Sequence, residues 1–380
     1  MRRCRRLAAA AALAAGAAAL AGCGSGGSKA DGSAQKLAVS LTDAGCSPAQ
    51  LKAKPGSITF QVTNGGTGKV SELELKDQKG IILGERENIV AGISGSFTLN
   101  LQPGTYVLNC PNGDREDNGK LIVTGTPTTA TATKPNPLLT KATSGYRTYI
   151  VRQSDQLVAG TKQFVAALRA NDLAKAKALF GTVRYHYEAI EPVAESFGNL
   201  DPAIDARAND VAKPSEWTGF HRIEQILWVE NSTAGTESYG AKLLADVTTL
   251  DRRVRTLTFQ PAQLANGAVE LLNEVSTSKI TGEEERYSHL DLVDFQANVD
   301  GSQAAFEAVK PMLAAKDAST ATEITQRFAD VNTALASYRV GSDRYSFVLY
   351  TQLTPTDTKQ LSAAVDALAE PLSHVAEQVV

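Results

Sequence analysis

Between Lys36 and Gly125 apolar and polar residues alternate in short, β-branched runs: KLAVSLTD, SITFQVTN, SELELKD, SGSFTLNL, TYVLNC and GKLIVTG. Pro-Gly, Asn-Gly-Gly and Asn-Gly signals separate them, and a period of two interrupted by turns roughly every ten residues predicts a small Greek-key β-sandwich. After Gly145 the apolar spacing changes to i, i+3, i+4, i+7, which predicts helices. The pattern places them over Tyr146–Arg169, Leu173–Ile190, Glu216–Val229, Tyr239–Leu257, Ala262–Thr277, Glu284–Ala314, Ala321–Arg339 and Thr358–Glu377. Ser215, Pro261 and the Thr356-Asp357 pair supply N-terminal signals. The fold class expected is therefore multidomain, a small all-β sandwich over residues 36–125 followed by an all-α bundle over 145–380. The Thr/Pro-rich stretch TGTPTTATATKPNP lacks core-forming residues, and a linker is expected over 126–144.

The first residues are of another kind. A basic start from Arg2 to Arg6, an Ala/Leu stretch and Leu20-Ala21-Gly22-Cys23 resemble a bacterial lipoprotein signal peptide, expected over residues 1–22. Cys23 would then carry the lipid and tether the chain to the outer face of a membrane, with 23–35 as a flexible spacer. The leader holds four of the 38 basic residues and none of the 41 acidic ones, so the remaining chain carries a net charge of −7. Such an acidic surface repels nucleic acid, which is not expected as a partner. Of four cysteines, only Cys46 and Cys110 remain beyond the leader and the lipid site. Outside the cytoplasm they form either a disulfide or, together with Glu72, Glu74 and Glu85, a carboxylate-rich ion site.

The chemistry of the helical half turns on WTGFHRIEQILW, in which His221 and Glu224 stand three residues apart in an apolar helical pattern. Glu188 and Glu191 repeat that spacing upstream and project from one helical face. Pro192 follows at once and ends or kinks that helix. Two such pairs on facing helices can surround one ion with a ring nitrogen and several carboxylate oxygens, as carboxylate-bridged bundles do. One imidazole with several carboxylates is a hard donor set, suited to iron or manganese. All four histidines, His186, His221, His289 and His374, lie in this half.

GTYVLNCPNGDREDNGKLIV resembles the last strands of a cupredoxin. A blue-copper centre needs two His beside its Cys, and the sandwich has none, so the resemblance implies the fold and leaves copper, a second iron or no ion there open. GFHRIEQILW carries the G-x-H-x-x-E signature of the imelysin family, and YEAIEPVAESFG and RYSHLDLVDFQANVDG resemble its other recurrent segments. The order of leader, cupredoxin-like domain and imelysin domain resembles the EfeO family of bacterial iron-uptake components. That resemblance implies a metal site taking Glu188, Glu191, Asp205, His221 and Glu224, with Asp291 or Asp294 as further candidates. It also implies iron, Fe2+ or Fe3+, as the ion, captured outside the cytoplasm for a membrane iron permease, with a haem peroxidase as second partner. Two other readings stand beside it. A zinc peptidase would need H-E-x-x-H, but position 222 is Arg and position 225 is Gln. A structural surface lipoprotein would bind no metal in either domain.

Overall fold

The computed structural model describes residues 35–115, 118–126, 137–211 and 213–380. The expected signal peptide, Cys23, nearly all of the tether and residues 127–136 of the expected linker lie outside the described residues.

Among the described residues, nine strands make the N-terminal domain: β1 (Gln35–Thr42), β2 (Gly45–Ser47), β3 (Gln50–Ala53), β4 (Gly56–Asn64), β5 (Leu73–Lys76), β6 (Ile82–Arg86), β7 (Ser94–Leu101), β8 (Gly104–Asn109) and β9 (Gly119–Val123). One sheet runs β2-β1-β4-β7 and the other β3-β9-β8-β5-β6, which is the expected two-sheet sandwich. Alternation decides which side chains turn inward. Along β4, Phe60 and Val62 are buried while Gln61 and Thr63 face out, and Phe60 stacks on Phe97 of the neighbouring β7 at 4.8 Å. Cys46 on β2 and Cys110 after β8 form a disulfide, which closes the choice left open between a bridge and two free thiols. Strands β2, β3 and β6 escape the sequence pattern because each is short and lacks a β-branched run.

The helical domain comprises α1 (Pro137–Arg169), α2 (Leu173–Glu188), α3 (Leu200–Asp205), α4 (Phe220–Val229), α5 (Glu237–Val254), α6 (Pro261–Thr277), α7 (Asp291–Ala314), α8 (Ala318–Ala336), α9 (Pro355–Leu372) and α10 (Val375–Val379). Helix α1 packs on α2 and α5, and α6 on α7 and α9, around one large apolar core. Several boundaries differ from expectation. Helix α4 begins at Phe220 after Gly219, so Ser215 and Glu216 lie in a separate short turn instead of starting it, and α3 was not expected. Helix α1 begins at Pro137, inside the expected linker, where a proline fits the first turn. Residues 284–290 precede α7 instead of belonging to it, with His289 at φ 60°. The last predicted helix divides into α9 and α10, the first ending at Leu372 just after Pro371.

Helix α6 also lies against the sandwich. Asn266 donates to the Thr98 carbonyl at 2.8 Å and Gln263 to that of Leu83 at 3.1 Å. Glu270 pairs with Arg86 and accepts from the Glu87 amide at 3.1 Å. These partners satisfy polar groups that burial between the two domains would otherwise leave stranded.

Candidate metal centre

The glycine of the G-x-H-x-x-E segment has a geometric task. Gly219 caps α4 at φ 89°, and a Cβ there would stand 2.2 Å from the Ile204 carbonyl oxygen, so the chain can approach the end of α3 only as glycine. Trp217 donates to the Ala206 carbonyl at 2.7 Å and Thr218 to that of Ala203 at 2.9 Å, tying the start of α4 to the end of α3. The result sets His221, on the first turn of α4, beside Asp205, the last residue of α3. Gly219→Ala is expected to lower stability by about 3 kcal/mol or more, since strain of about 1–3 kcal/mol at that φ adds to the backbone clash. Thermal unfolding against Gly235→Ala, a positive-φ glycine with open space around it, separates the two contributions.

His221 is 2 % exposed, and its two ring nitrogens have different surroundings. Nδ1 lies 3.2 Å from Glu224 Oε2, while Glu224 Oε1 accepts the backbone amides of Tyr287 and Ser288 at 2.9 and 2.7 Å. Glu224 therefore fixes the ring, as carboxylates behind metal-binding imidazoles do. Nε2 has no hydrogen-bond partner among the described residues; Glu284 Oε1 lies 3.5 Å away and Asp205 Oδ1 3.6 Å. Ligands around an ion held by bonds of about 2.0–2.2 Å stand roughly 3.0–3.5 Å apart, so this trio is close to a coordination set. His221, Glu224 and Glu285 form an overlapping trio.

Arg184, wholly buried on α2, runs through the cluster. It pairs with Glu188, Asp205 and Glu284, and its Nε lies 2.5 Å from Glu285 and 3.3 Å from Asp294. Glu188 and Glu191 do not reach His221. Lys279 Nζ sits 2.9 Å from Glu188 and from Glu191, and Asn298 donates to both at 2.9 and 2.7 Å. The expected grouping of Glu188, Glu191, Asp205, His221 and Glu224 around one point is thus corrected: an internal ammonium holds Glu188 and Glu191, and Glu284 and Glu285 stand near His221 instead. Asp294 joins Arg184, and Asp291 accepts from the Glu285 amide at 3.1 Å, steadying the loop rather than facing the ring.

Electrostatics follow from these neighbours. Burial and Arg184 depress the His221 imidazole, but its hydrogen bond to Glu224 and the carboxylates of Glu284 and Asp205 hold it up at about 9. Burial opposes ionisation of Glu188, yet Lys279 and Arg184 bring it down to about 2. Burial likewise opposes ionisation of Glu284, which Lys279, His221 and Arg207 hold well below the usual range. Burial and Glu188 push Glu191 up, and burial and Glu224 push Glu285 up. Carboxylates outnumber the buried cations here, so protons and a metal ion would compete for the surplus oxygens.

In the sandwich, Glu72, Glu74 and Glu85 do converge, with oxygens within 4.8 Å of one another. Their expected thiol companions are absent, because both sulfurs share the disulfide. With no imidazole in the sandwich either, the expected copper option has neither of its preferred ligands there. Glu74 pairs with Lys76 at 2.6 Å, and burial with Glu74 pushes Glu72 up to about 8.

Sequence reasoning missed Arg184, Lys279, Glu284 and Glu285. The run GEEERY was a visible acidic signal, but its assignment to the start of a helix hid the loop that turns two of its carboxylates inward. Arg184 stands four residues before Glu188, a helical ion-pair spacing that the sequence also displayed.

A family model for imelysin matches residues 142–375 and one for a cupredoxin-like domain matches residues 8–123. The iron uptake system component EfeO of Escherichia coli K12 is 40% identical over 346 residues, covering 90% of this chain and 90% of that protein. EfeO of Shigella flexneri matches to the same extent. Among solved structures, a reduced auracyanin from Roseiflexus castenholzii aligns with 24% of this chain and 99% of its own at 16% identity, with a TM-score of 0.21.

Proposed function

This chain belongs to the EfeO family, and from that premise we propose that it captures iron outside the cytoplasm and passes it to a membrane iron permease. The capture site is the helical cluster of His221, Asp205 and Glu284, with Glu224 orienting the ring and Glu285 as a further oxygen donor. The observation that carries this reading is the buried Nε2 of His221, which makes no hydrogen bond among the described residues and lies 3.5 and 3.6 Å from two carboxylates. One ring nitrogen and two carboxylate oxygens at that spacing could close around an ion in place of the ring's proton. Oxygen donors with one imidazole favour iron over soft cations. Attachment to the membrane through lipidated Cys23, and a haem peroxidase as the second partner, complete the proposal from the family resemblance.

A peptidase reading gains nothing from the geometry. Arg222 and Gln225, at the positions where a zinc peptidase carries its base and second histidine, hydrogen-bond each other at 2.6 Å.

Anaerobic titration with Fe2+ tests the site. Glu284→Gln keeps the shape but removes a ligand charge, and is expected to weaken binding by at least about 100-fold. Glu224→Gln is expected to weaken it about 10–100-fold, the range for groups that orient a ligand. Equal affinities in both variants and the parent would end this assignment.

A further inference from the structure

Between the sandwich and the helical domain lies a cavity of about 460 Å³. Glu72, Glu74 and Glu87 wall it from the sandwich, and Glu274, Asp205 and Glu284 from the helices. Among the described residues, eleven carboxylic side chains line it against two basic ones, Lys76 and Arg207. Crowded carboxylates alone do not imply a ligand. The distinguishing feature is where the cavity leads: Asp205 and Glu284 are the two carboxylates flanking Nε2 of His221, a nitrogen with no hydrogen bond among the described residues, in a side chain 2 % exposed. Arg207 stands at that inner end, 2.9 Å from Glu284 and 3.0 Å from Asp210.

We propose that this cavity is the entry vestibule of the His221 site, so that a di- or trivalent cation reaches the ring between the two domains, drawn in by carboxylates of the sandwich. The inference rests on the reading of His221 as a cation ligand. Low-dielectric walls of one charge sign focus the field along a cleft and raise association rates by about 10–1000-fold. The sandwich, lacking thiolate and imidazole donors, thereby contributes to ion capture as one wall of the route. Arg207 closes the inner end by holding Glu284, and an arriving cation competes with its guanidinium for that carboxylate.

Stopped-flow mixing of the full chain with Co2+ tests this through quenching of tryptophan fluorescence, because Trp217 bonds to the carbonyl next to Asp205. Burial raises Glu72, to about 8, and Glu87 as well, so loading is followed across a range of pH and the effect of these carboxylates is expected to grow as pH rises. A triple variant, Glu72→Gln, Glu74→Gln and Glu87→Gln, is expected to load at least about tenfold more slowly, with a weaker salt dependence and little change in dissociation. A control triple on exposed parts of α7 and α8, Glu307→Gln, Glu323→Gln and Asp330→Gln, loses the same formal charge and is expected to load at the parent rate. Should the sandwich triple misfold, Glu87→Gln and Glu274→Gln, one from each wall, are each expected to slow loading in the same direction. Equal rates for the sandwich variants and the parent, or equal slowing by the control triple, overturn the vestibule alone, provided His221→Ala abolishes binding. A parent that binds no Co2+, or binds it as His221→Ala does, overturns the site and the vestibule together.

Discussion

His221→Ala is expected to abolish measurable Fe2+ binding by the full chain, because it removes the sole nitrogen donor of the cluster and leaves Asp205 and Glu284 to their internal cations. The pH dependence of the unsubstituted protein tests the same atom independently. In the ion-free state the His221 imidazole is held up at about 9, so at neutral pH it carries a proton that a metal must displace. Proton and ion compete for Nε2. Affinity is therefore expected to rise with pH below about 9 and to fall about tenfold for each unit of acidification from the imidazole alone, with protonation of carboxylates steepening the fall. Competition titrations with Fe2+ between about pH 6 and 8 check this sign. A flat profile would remove His221 from the ligand set.

Arg184→Met is expected to have the largest effect on stability. The guanidinium is fully buried and faces Glu188, Asp205, Glu284, Glu285 and Asp294 at once. Breaking a buried pair by removing one partner costs about 3–5 kcal/mol, because the other charge stays buried and uncompensated. Here several carboxylates lose a shared partner, so a loss at or above that range is expected, equivalent to a fall in Tm of roughly 10 °C or more. Arg184→Lys is expected to recover little, since one ammonium cannot fork to several carboxylates. If the surplus negative charge is what a metal ion neutralises, added Mn2+ should raise the Tm of Arg184→Met more than that of the parent. An Arg184→Met variant as stable as the parent would show that the carboxylates do not need this counter-charge.

The two domains and most element positions were legible in the order of residues, because periods of two and 3.6 are local properties of a strand and a helix. So were the i, i+3 placement of His221 and Glu224 on one helix and the stop before Pro192. Which carboxylates gather around that pair was not. Glu188 and Glu191 had the right chemistry and spacing, but Lys279, some ninety residues later, occupies them, and no periodicity reveals which distant cation a carboxylate will meet.

The same holds for the loop before α7, whose turn brings Glu284 and Glu285 to the ring while two of its amides hold Glu224. For Cys46 and Cys110 the chain order allowed two outcomes, and the packing of one sheet on the other, which sets β2 against β8, decided between them by bringing the sulfurs within bonding distance. What the sequence by itself determined was the inventory of donors, the local periodicity and the charge surplus. Tertiary structure decided which donors already have an internal partner and which face open space, because electrostatic neutralisation in a buried cluster depends on three-dimensional proximity across elements far apart in the chain.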